Sequence, residues 1–131
     1  MAIQSVGVIG VGVMGGPIAG HLLKGGYRVT AYDVKRELVE DLSKRGAQPA
    51  RSPGAVAAES DLTLVIVVDD AQVKEVCLGP EGVLEAARPD SVLAICSTVQ
   101  PATCREVAGA ARVKRVHVLD TPMIRGAAAA A

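Results

Sequence analysis

The feature that most constrains the fold of this chain is a group of closely spaced glycines near its amino terminus. Gly10, Gly12 and Gly15 form a Gly-x-Gly-x-x-Gly pattern, which begins where the apolar run of residues 5–10 ends. A segment of helical period follows over residues 14–24. This pattern, placed between a predicted strand and a predicted helix, indicates a tight turn that packs the helix closely on the strand.

The same turn is predicted to bind the pyrophosphate of a dinucleotide. Gly10 allows the tight turn, Gly12 lets the backbone approach the phosphates without a Cβ, and Gly15 permits close packing of helix on strand. The helix N-terminus, with the backbone of Val13 and Met14, presents free N–H groups and a partial positive charge. The alternative is a glycine turn that only reverses the chain.

An acidic residue at the end of the second predicted strand favours NAD over NADP. Asp33 follows residues 27–32, at the distance from the glycines that dinucleotide-binding chains use. A carboxylate there accepts hydrogen bonds from the adenosine ribose hydroxyls and repels a 2′-phosphate. Lys35 and Arg36 stand nearby, and they could either reach a phosphate or be solvated charges of a helix. NAD is therefore the expected cofactor, with NADP less favoured.

Strands and helices alternate along the rest of the chain. The predicted strands are residues 5–10, 27–32, 61–68, 91–96 and 116–119, with a short extended piece at 47–50. The predicted helices are residues 14–24, 34–45, 53–59, 71–77, 83–87 and 101–111. This alternation predicts the α/β class: one Rossmann-type domain over residues 1–131, doubly wound, with a mainly parallel sheet and helices on both faces.

Composition excludes several classes of partner. Half of the residues are hydrophobic and there is no Phe or Trp, which suits a parallel sheet built from β-branched residues. The formal net charge is zero, so nothing favours nucleic acid or an anionic membrane as partner.

The three cysteines form no Cys-x-x-Cys pair, so we expect idle thiols, no metal and a reducing compartment. The longest apolar run, residues 62–68, is too short to span a bilayer, and we expect a soluble, cytoplasmic protein.

From its first strand onward the chain resembles the β-hydroxyacid dehydrogenase family, which includes 3-hydroxyisobutyrate dehydrogenases, 6-phosphogluconate dehydrogenases and imine reductases. Residues 7–15 and 17–19 carry the likeness most clearly, and it extends over essentially all 131 residues. The resemblance implies that Val67, Val68 and Gln72 line the nicotinamide side of the cofactor. The family usually has Leu-Pro where this chain has Val67-Val68.

Residues 96–101 look like the family's Ser-Thr-x-x-Pro segment. The resemblance implies that Thr98 contacts the cofactor and that Ser97 lies close to the substrate. A second interpretation is a Ser/Thr N-cap before a helix that begins with proline. Both can hold together, because ligands bind at the carboxyl ends of parallel strands.

Residues 120–126 look like the family's substrate motif, Asp-x-Pro-Val-Ser-Gly-Gly. Asp120, Pro122 and Gly126 match it, whereas Ile124 and Arg125 replace Ser-Gly. Our hypothesis is that Arg125, beside Gly126, pairs with a small acidic substrate, since guanidinium binds a carboxylate through two hydrogen bonds. The alternative is a surface arginine without a ligand.

The family carries its catalytic lysine in a helical C-terminal domain. No lysine of this chain matches that position, so we expect no catalytic residue here and a longer parent protein that forms a homo-oligomer. The expected parent is a dehydrogenase that transfers a hydride between the nicotinamide and a small β-hydroxyacid or its semialdehyde. The alternatives are an imine or carbonyl reductase on the same scaffold and a non-catalytic dinucleotide-sensing module.

Overall fold

A computed structural model describes residues 2–123 of the chain. Its six strands are β1 (Ser5–Ile9), β2 (Arg28–Tyr32), β3 (Gln48–Pro49), β4 (Leu62–Val65), β5 (Val92–Ile95) and β6 (His117–Asp120). Its six helices are α1 (Gly15–Lys24), α2 (Arg36–Ser43), α3 (Pro53–Ala58), α4 (Asp70–Leu78), α5 (Val83–Ala86) and α6 (Pro101–Val113). None of the helices within this range is long and apolar enough to cross a membrane.

The six strands form one parallel sheet in the order β3-β2-β1-β4-β5-β6. Val6 of β1 pairs with Val29 on one side and with Leu62 on the other. The chain thus winds outward in both directions from β1, and the crevice between β1 and β4 is the point where ligands bind in sheets of this order. The predicted α/β doubly wound class is confirmed.

Alternation along β1 sends side chains to two separate cores. Val6 and Val8 pack in a cluster with α1 and α2, whereas Ile9 belongs to a cluster with α3, α4, α5 and α6. All three side chains are almost fully buried. Helices therefore cover both faces of the sheet, as the sequence predicts.

The structure corrects the end of the fourth predicted strand, which stops at Val65 rather than at residue 68. The Ile66 N–H still reaches the Ile9 carbonyl oxygen at 2.8 Å. The next two N–H groups donate to side chains instead: Val67 to Ser97 Oγ and Val68 to Gln72 Oε1. The apolar run therefore extends past the sheet into a loop, which the hydrophobic pattern alone could not separate from strand.

Candidate dinucleotide-binding site

Two of the three turn glycines are required by the fold itself. Gly10 has a φ of +93°, and a Cβ there would lie 2.0 Å from the Ile66 carbonyl oxygen. A Cβ at Gly15 would lie 1.8 Å from the carbonyl oxygen of Gly10. Because both obstacles are backbone atoms, a side chain at either position forces the turn or helix α1 to move.

Gly12 differs, because a Cβ there would meet no atom within 4 Å. Gly12 and Val13 are exposed, and α1 begins behind them with Met14 as an N-cap that makes no side-chain hydrogen bond. Among residues 2–123, the hydrogen bonds made outside helices and strands include none donated by the N–H of Gly12, Val13 or Met14. Free donors at the positive end of a helix, facing open space, fit a pyrophosphate.

Asp33 ties the glycine turn to the end of β2. Its Oδ2 accepts the Val11 N–H and its Oδ1 accepts the Lys35 N–H, both at 2.9 Å. A carboxylate has about four acceptor positions, so Asp33 keeps capacity for ribose hydroxyls. The two bonds hold the carboxylate at the sheet edge, and α2 begins only at Arg36 rather than at residue 34 as the sequence predicts.

A cleft of about 800 Å³ lies at the carboxyl ends of β1 to β4. Nine of the ten residues predicted to bind the cofactor line it: Gly10, Gly12, Val13, Met14, Gly15, Asp33, Val67, Val68 and Gln72. Thr98 does not line the cleft, although it is exposed beyond the end of β5. The structure thus brings the adenosine and pyrophosphate residues together, while their contacts with a cofactor remain predictions.

Several lining residues were not predicted from the sequence. They include Leu38, Arg51, Ser52, Pro53, Glu75 and Glu81. Arg51 could have been found from the rule that the carboxyl ends of parallel strands share one edge, since it directly follows the short extended piece. The predicted helix start at residue 53 is confirmed, and Ser52 is the N-cap, because its Oγ accepts the Ala55 N–H at 3.1 Å.

The loop after β4 is held by the first turn of α4. Val68 is 82% exposed, and its N–H donates to Gln72 Oε1 at 2.9 Å. The Gln72 N–H in turn donates to Oδ1 of Asp69, the N-cap of α4. A proline at position 68, as in the family's Leu-Pro, would have no N–H for this bond.

Ser97 joins the end of β5 to the end of β4. It is buried, and its Oγ accepts the Val67 N–H at 2.9 Å and donates to the Val65 carbonyl oxygen at 3.4 Å. The hydroxyl predicted to lie near the substrate therefore also fixes the loop after β4. Its proximity to a substrate remains a prediction.

The N-cap interpretation of Ser97 and Thr98 is wrong. The N-cap of α6 is Gln100, which makes no side-chain hydrogen bond of its own. Asp70 of α4 serves this helix end instead, because its Oδ2 accepts the Gln100 N–H at 3.0 Å and the Thr103 hydroxyl at 2.5 Å. The Thr103 hydroxyl and the Gln100 N–H hold the pKa of the Asp70 carboxyl below its usual range.

The three predicted free thiols are all buried, at Cys77, Cys96 and Cys104. Burial raises the pKa of Cys77 to about 12, which keeps this thiol protonated at neutral pH. The predicted substrate residues Arg125 and Gly126 lie outside the described residues.

Comparison with known proteins places this site in a family context. A family model described as the NAD binding domain of 6-phosphogluconate dehydrogenase matches residues 5–131. The chain is 37% identical, over 94% of its length and 38% of the relative's, to a protein named probable 3-hydroxyisobutyrate dehydrogenase, mitochondrial, from Dictyostelium discoideum.

Solved structures show the same likeness. A Mycobacterium tuberculosis 3-hydroxyisobutyrate dehydrogenase with L-serine has a TM-score of 0.87 and 25% identity, covering 97% of this chain and 43% of that one. An imine reductase from Myxococcus stipitatus in complex with NADP+ has a TM-score of 0.78 and 27% identity, covering 87% and 39%. The chain thus spans about two fifths of the length of the relatives it matches.

Proposed function

Because the chain belongs to the family of NAD-binding domains of 6-phosphogluconate dehydrogenase, we propose that it binds NAD(H) in the cleft at the carboxyl ends of β1 to β4, and NADP(H) more weakly. The observation that carries this proposal is the set of N–H groups over residues 12–14, which have no acceptor among the described residues and line the same cleft as the Asp33 carboxylate.

Each part of the cleft has a distinct task in this proposal. The N–H groups of Gly12, Val13 and Met14 donate to the pyrophosphate, and the α1 dipole stabilises its charge. Asp33 accepts the ribose hydroxyls, since its position is fixed by two backbone donors. Val67 and Val68 line the same cleft and are assigned to its nicotinamide side in this proposal.

We propose that residues 1–131 act as the dinucleotide-binding domain of a longer oxidoreductase. The nicotinamide supplies hydride chemistry when bound, and the substrate is a small β-hydroxyacid or its semialdehyde, in keeping with the 3-hydroxyisobutyrate dehydrogenases that the chain resembles. Because the chain spans about two fifths of those relatives, we assign the general acid/base to the rest of the parent protein.

The substrate side is proposed to form at the ends of β5 and β6. Ser97 and Thr98 follow β5, and Arg125 and Gly126 follow β6 along the sequence. We further propose a homo-oligomeric parent in a reducing compartment, the cytoplasm, where free cysteines persist. The Dictyostelium relative carries a mitochondrial name, so the mitochondrion is the alternative compartment.

A second candidate is an imine reductase on the same scaffold, which the likeness to the Myxococcus stipitatus enzyme favours. The two candidates differ in the group that is reduced, a carbonyl or an imine. Steady-state rates of the parent protein with a β-hydroxyacid and NAD, and with a cyclic imine and NADPH, distinguish them.

Binding of the cofactor is tested by titrating the chain with NADH and NADPH and following nicotinamide fluorescence. We expect saturable binding of NADH and weaker binding of NADPH. A Gly12→Val variant is the matched control, because its side chain enters open space in the free chain but occupies the path of the pyrophosphate. It should keep the thermal midpoint of the unaltered chain and lose NADH binding. NADH binding that survives this substitution would contradict the proposed location.

A further inference from the structure

The side chain of Arg51 lines the cleft near Asp33, and none of the contacts proposed so far uses its positive charge. Ala31 of β2 pairs with Pro49 of β3, and the Ala50 N–H donates to the Ala31 carbonyl oxygen at 3.0 Å. Continuing this parallel register by two residues brings Arg51 level with Asp33. Adjacent strands lie about 4.8 Å apart, so the two oppositely charged side chains begin at neighbouring points of one edge.

The start of α3 fixes the backbone that directly follows Arg51. Ser52 caps α3 through the Ala55 N–H, and Pro53 occupies the first helical turn. The Arg51 side chain is exposed and lines the cleft. The backbone at Arg51 is therefore held by the β2–β3 pairing on one side and by the cap of α3 on the other.

Arg51 has no carboxylate partner in the described part of the chain. The ion pairs there are Lys74–Glu106, Arg88–Asp61 and Arg115–Asp90. Lys35 also lines the cleft and is likewise in none of these pairs, whereas Arg36 does not line it. Two free cations thus flank the carboxylate that is expected to accept the ribose hydroxyls.

We propose that Arg51 is a second specificity residue of this site, which binds the 2′-phosphate of NADP(H) and opposes the repulsion from Asp33. An arginine near the ribose accommodates a 2′-phosphate in dinucleotide sites, because its guanidinium matches phosphate oxygens through two hydrogen bonds. The preference for NAD then depends on the balance between repulsion of the 2′-phosphate by Asp33 and its attraction by Arg51. NADP(H) therefore still binds, although more weakly than NAD(H). This inference rests on the proposed function, since it requires the cofactor to lie in this cleft.

The test measures Kd for NADH and NADPH by nicotinamide fluorescence in five proteins: the unaltered chain, Arg51→Ala, Asp33→Asn, the double variant and the control Arg36→Ala. Arg51→Ala should weaken NADPH binding about tenfold and leave NADH binding nearly unchanged, because NADH has no group for the guanidinium to pair with. Asp33→Asn should reverse the preference, and the double variant should lose the NADPH affinity thus gained. Arg36→Ala, a matched arginine outside the cleft lining, should change neither Kd.

Three results overturn the inference. Equal weakening of NADH and NADPH by Arg51→Ala would show that Arg51 stacks on the adenine instead. Unchanged Kd values for both cofactors, in both the unaltered and the Asp33→Asn background, would show that Arg51 does not reach the ribose. Absence of NADH binding by the unaltered chain overturns the proposed function and this inference together, so the two failures are distinguishable.

Discussion

Two regions of the cleft edge differ in what their polar groups bind: in one many are available to a ligand, and in the other they bind each other. The adenosine region, which comprises residues 10–15, 33–35 and 51–53, leaves N–H groups, a carboxylate and two cations available to a ligand. The nicotinamide region, which comprises residues 66–72 and 97–103, uses its polar side chains to bind its own loops together. The first region is built to receive charge, whereas the second is built to hold β4, β5 and α6 in place.

This difference predicts how the two regions respond to mutation. In the adenosine region, a substitution at an exposed residue whose side chain bonds to nothing in the described chain, such as Gly12 or Arg51, changes cofactor affinity with little effect on stability. In the nicotinamide region the first effect of a substitution is on stability where the polar side chain is buried, as at Ser97 and Thr103, because its hydrogen-bond partner is then left unsatisfied.

The largest change in the free energy of unfolding is expected inside the adenosine region. It distinguishes a glycine that the fold requires, Gly15, from one that is proposed to serve cofactor binding, Gly12. Gly15→Ala places a Cβ 1.8 Å from the Gly10 carbonyl oxygen and should lower the free energy of unfolding by about 3 kcal/mol. Gly12→Ala meets no atom within 4 Å and should leave stability nearly unchanged. Urea unfolding followed by circular dichroism measures both. Equal stability of the two variants would show that helix α1 is free to shift away from the turn.

The next effect concerns Ser97 and tests whether the nicotinamide region is held from within. Ser97→Ala leaves the Val67 N–H without its acceptor and should cost about 1–2 kcal/mol of unfolding free energy. Thr98→Ala, at an exposed neighbouring position, should stay within about 0.5 kcal/mol of the unaltered chain. If both variants were as stable as the unaltered chain, the contrast between the two regions would fail.

The smallest expected change in stability comes from the charge of Asp70, and it depends on pH. Asp70 has a folded-state pKa below its ordinary value of 3.8, because it accepts the Thr103 hydroxyl and the Gln100 N–H. Its charge therefore contributes stability above about pH 4, and this contribution is lost as the pH falls through the folded-state pKa. Asp70→Asn should lower the thermal midpoint near pH 7, and the difference from the unaltered chain should shrink below about pH 4.

The matched control for this prediction is Asp41→Asn, at an exposed position of α2. It should change the thermal midpoint little at any pH. A difference between Asp70→Asn and the unaltered chain that stayed constant down to low pH would mean that the charge of Asp70 does not stabilise the junction of α4 and α6.

The sequence predicted the parts of this fold that depend on local pattern. The order of strands and helices follows from hydrophobic period, and the glycine turn follows from positions where a Cβ meets backbone, as at Gly10 and Gly15. Asp33 could be predicted because its distance from the turn along the chain is characteristic.

The rest depends on pairing between distant segments. Arg51 reaches the cleft because a strand of two residues, containing Pro49, pairs with β2, and so short an element has almost no sequence signal. The sequence neighbours of Ser97 suggest a helix cap. Its hydroxyl instead hydrogen-bonds to the chain at the end of β4. This contact can be inferred only once β4 is known to pair with β5.

Whether the adenosine region alone binds the cofactor is tested most directly by a calorimetric titration of the chain with ADP-ribose, which lacks the nicotinamide, beside NADH. If the adenosine region is complete within this chain, both ligands should saturate one site with Kd values within about tenfold of each other. Nicotinamide mononucleotide should bind far more weakly. Saturable binding of NADH without binding of ADP-ribose would contradict the account, because affinity would then come from the nicotinamide region.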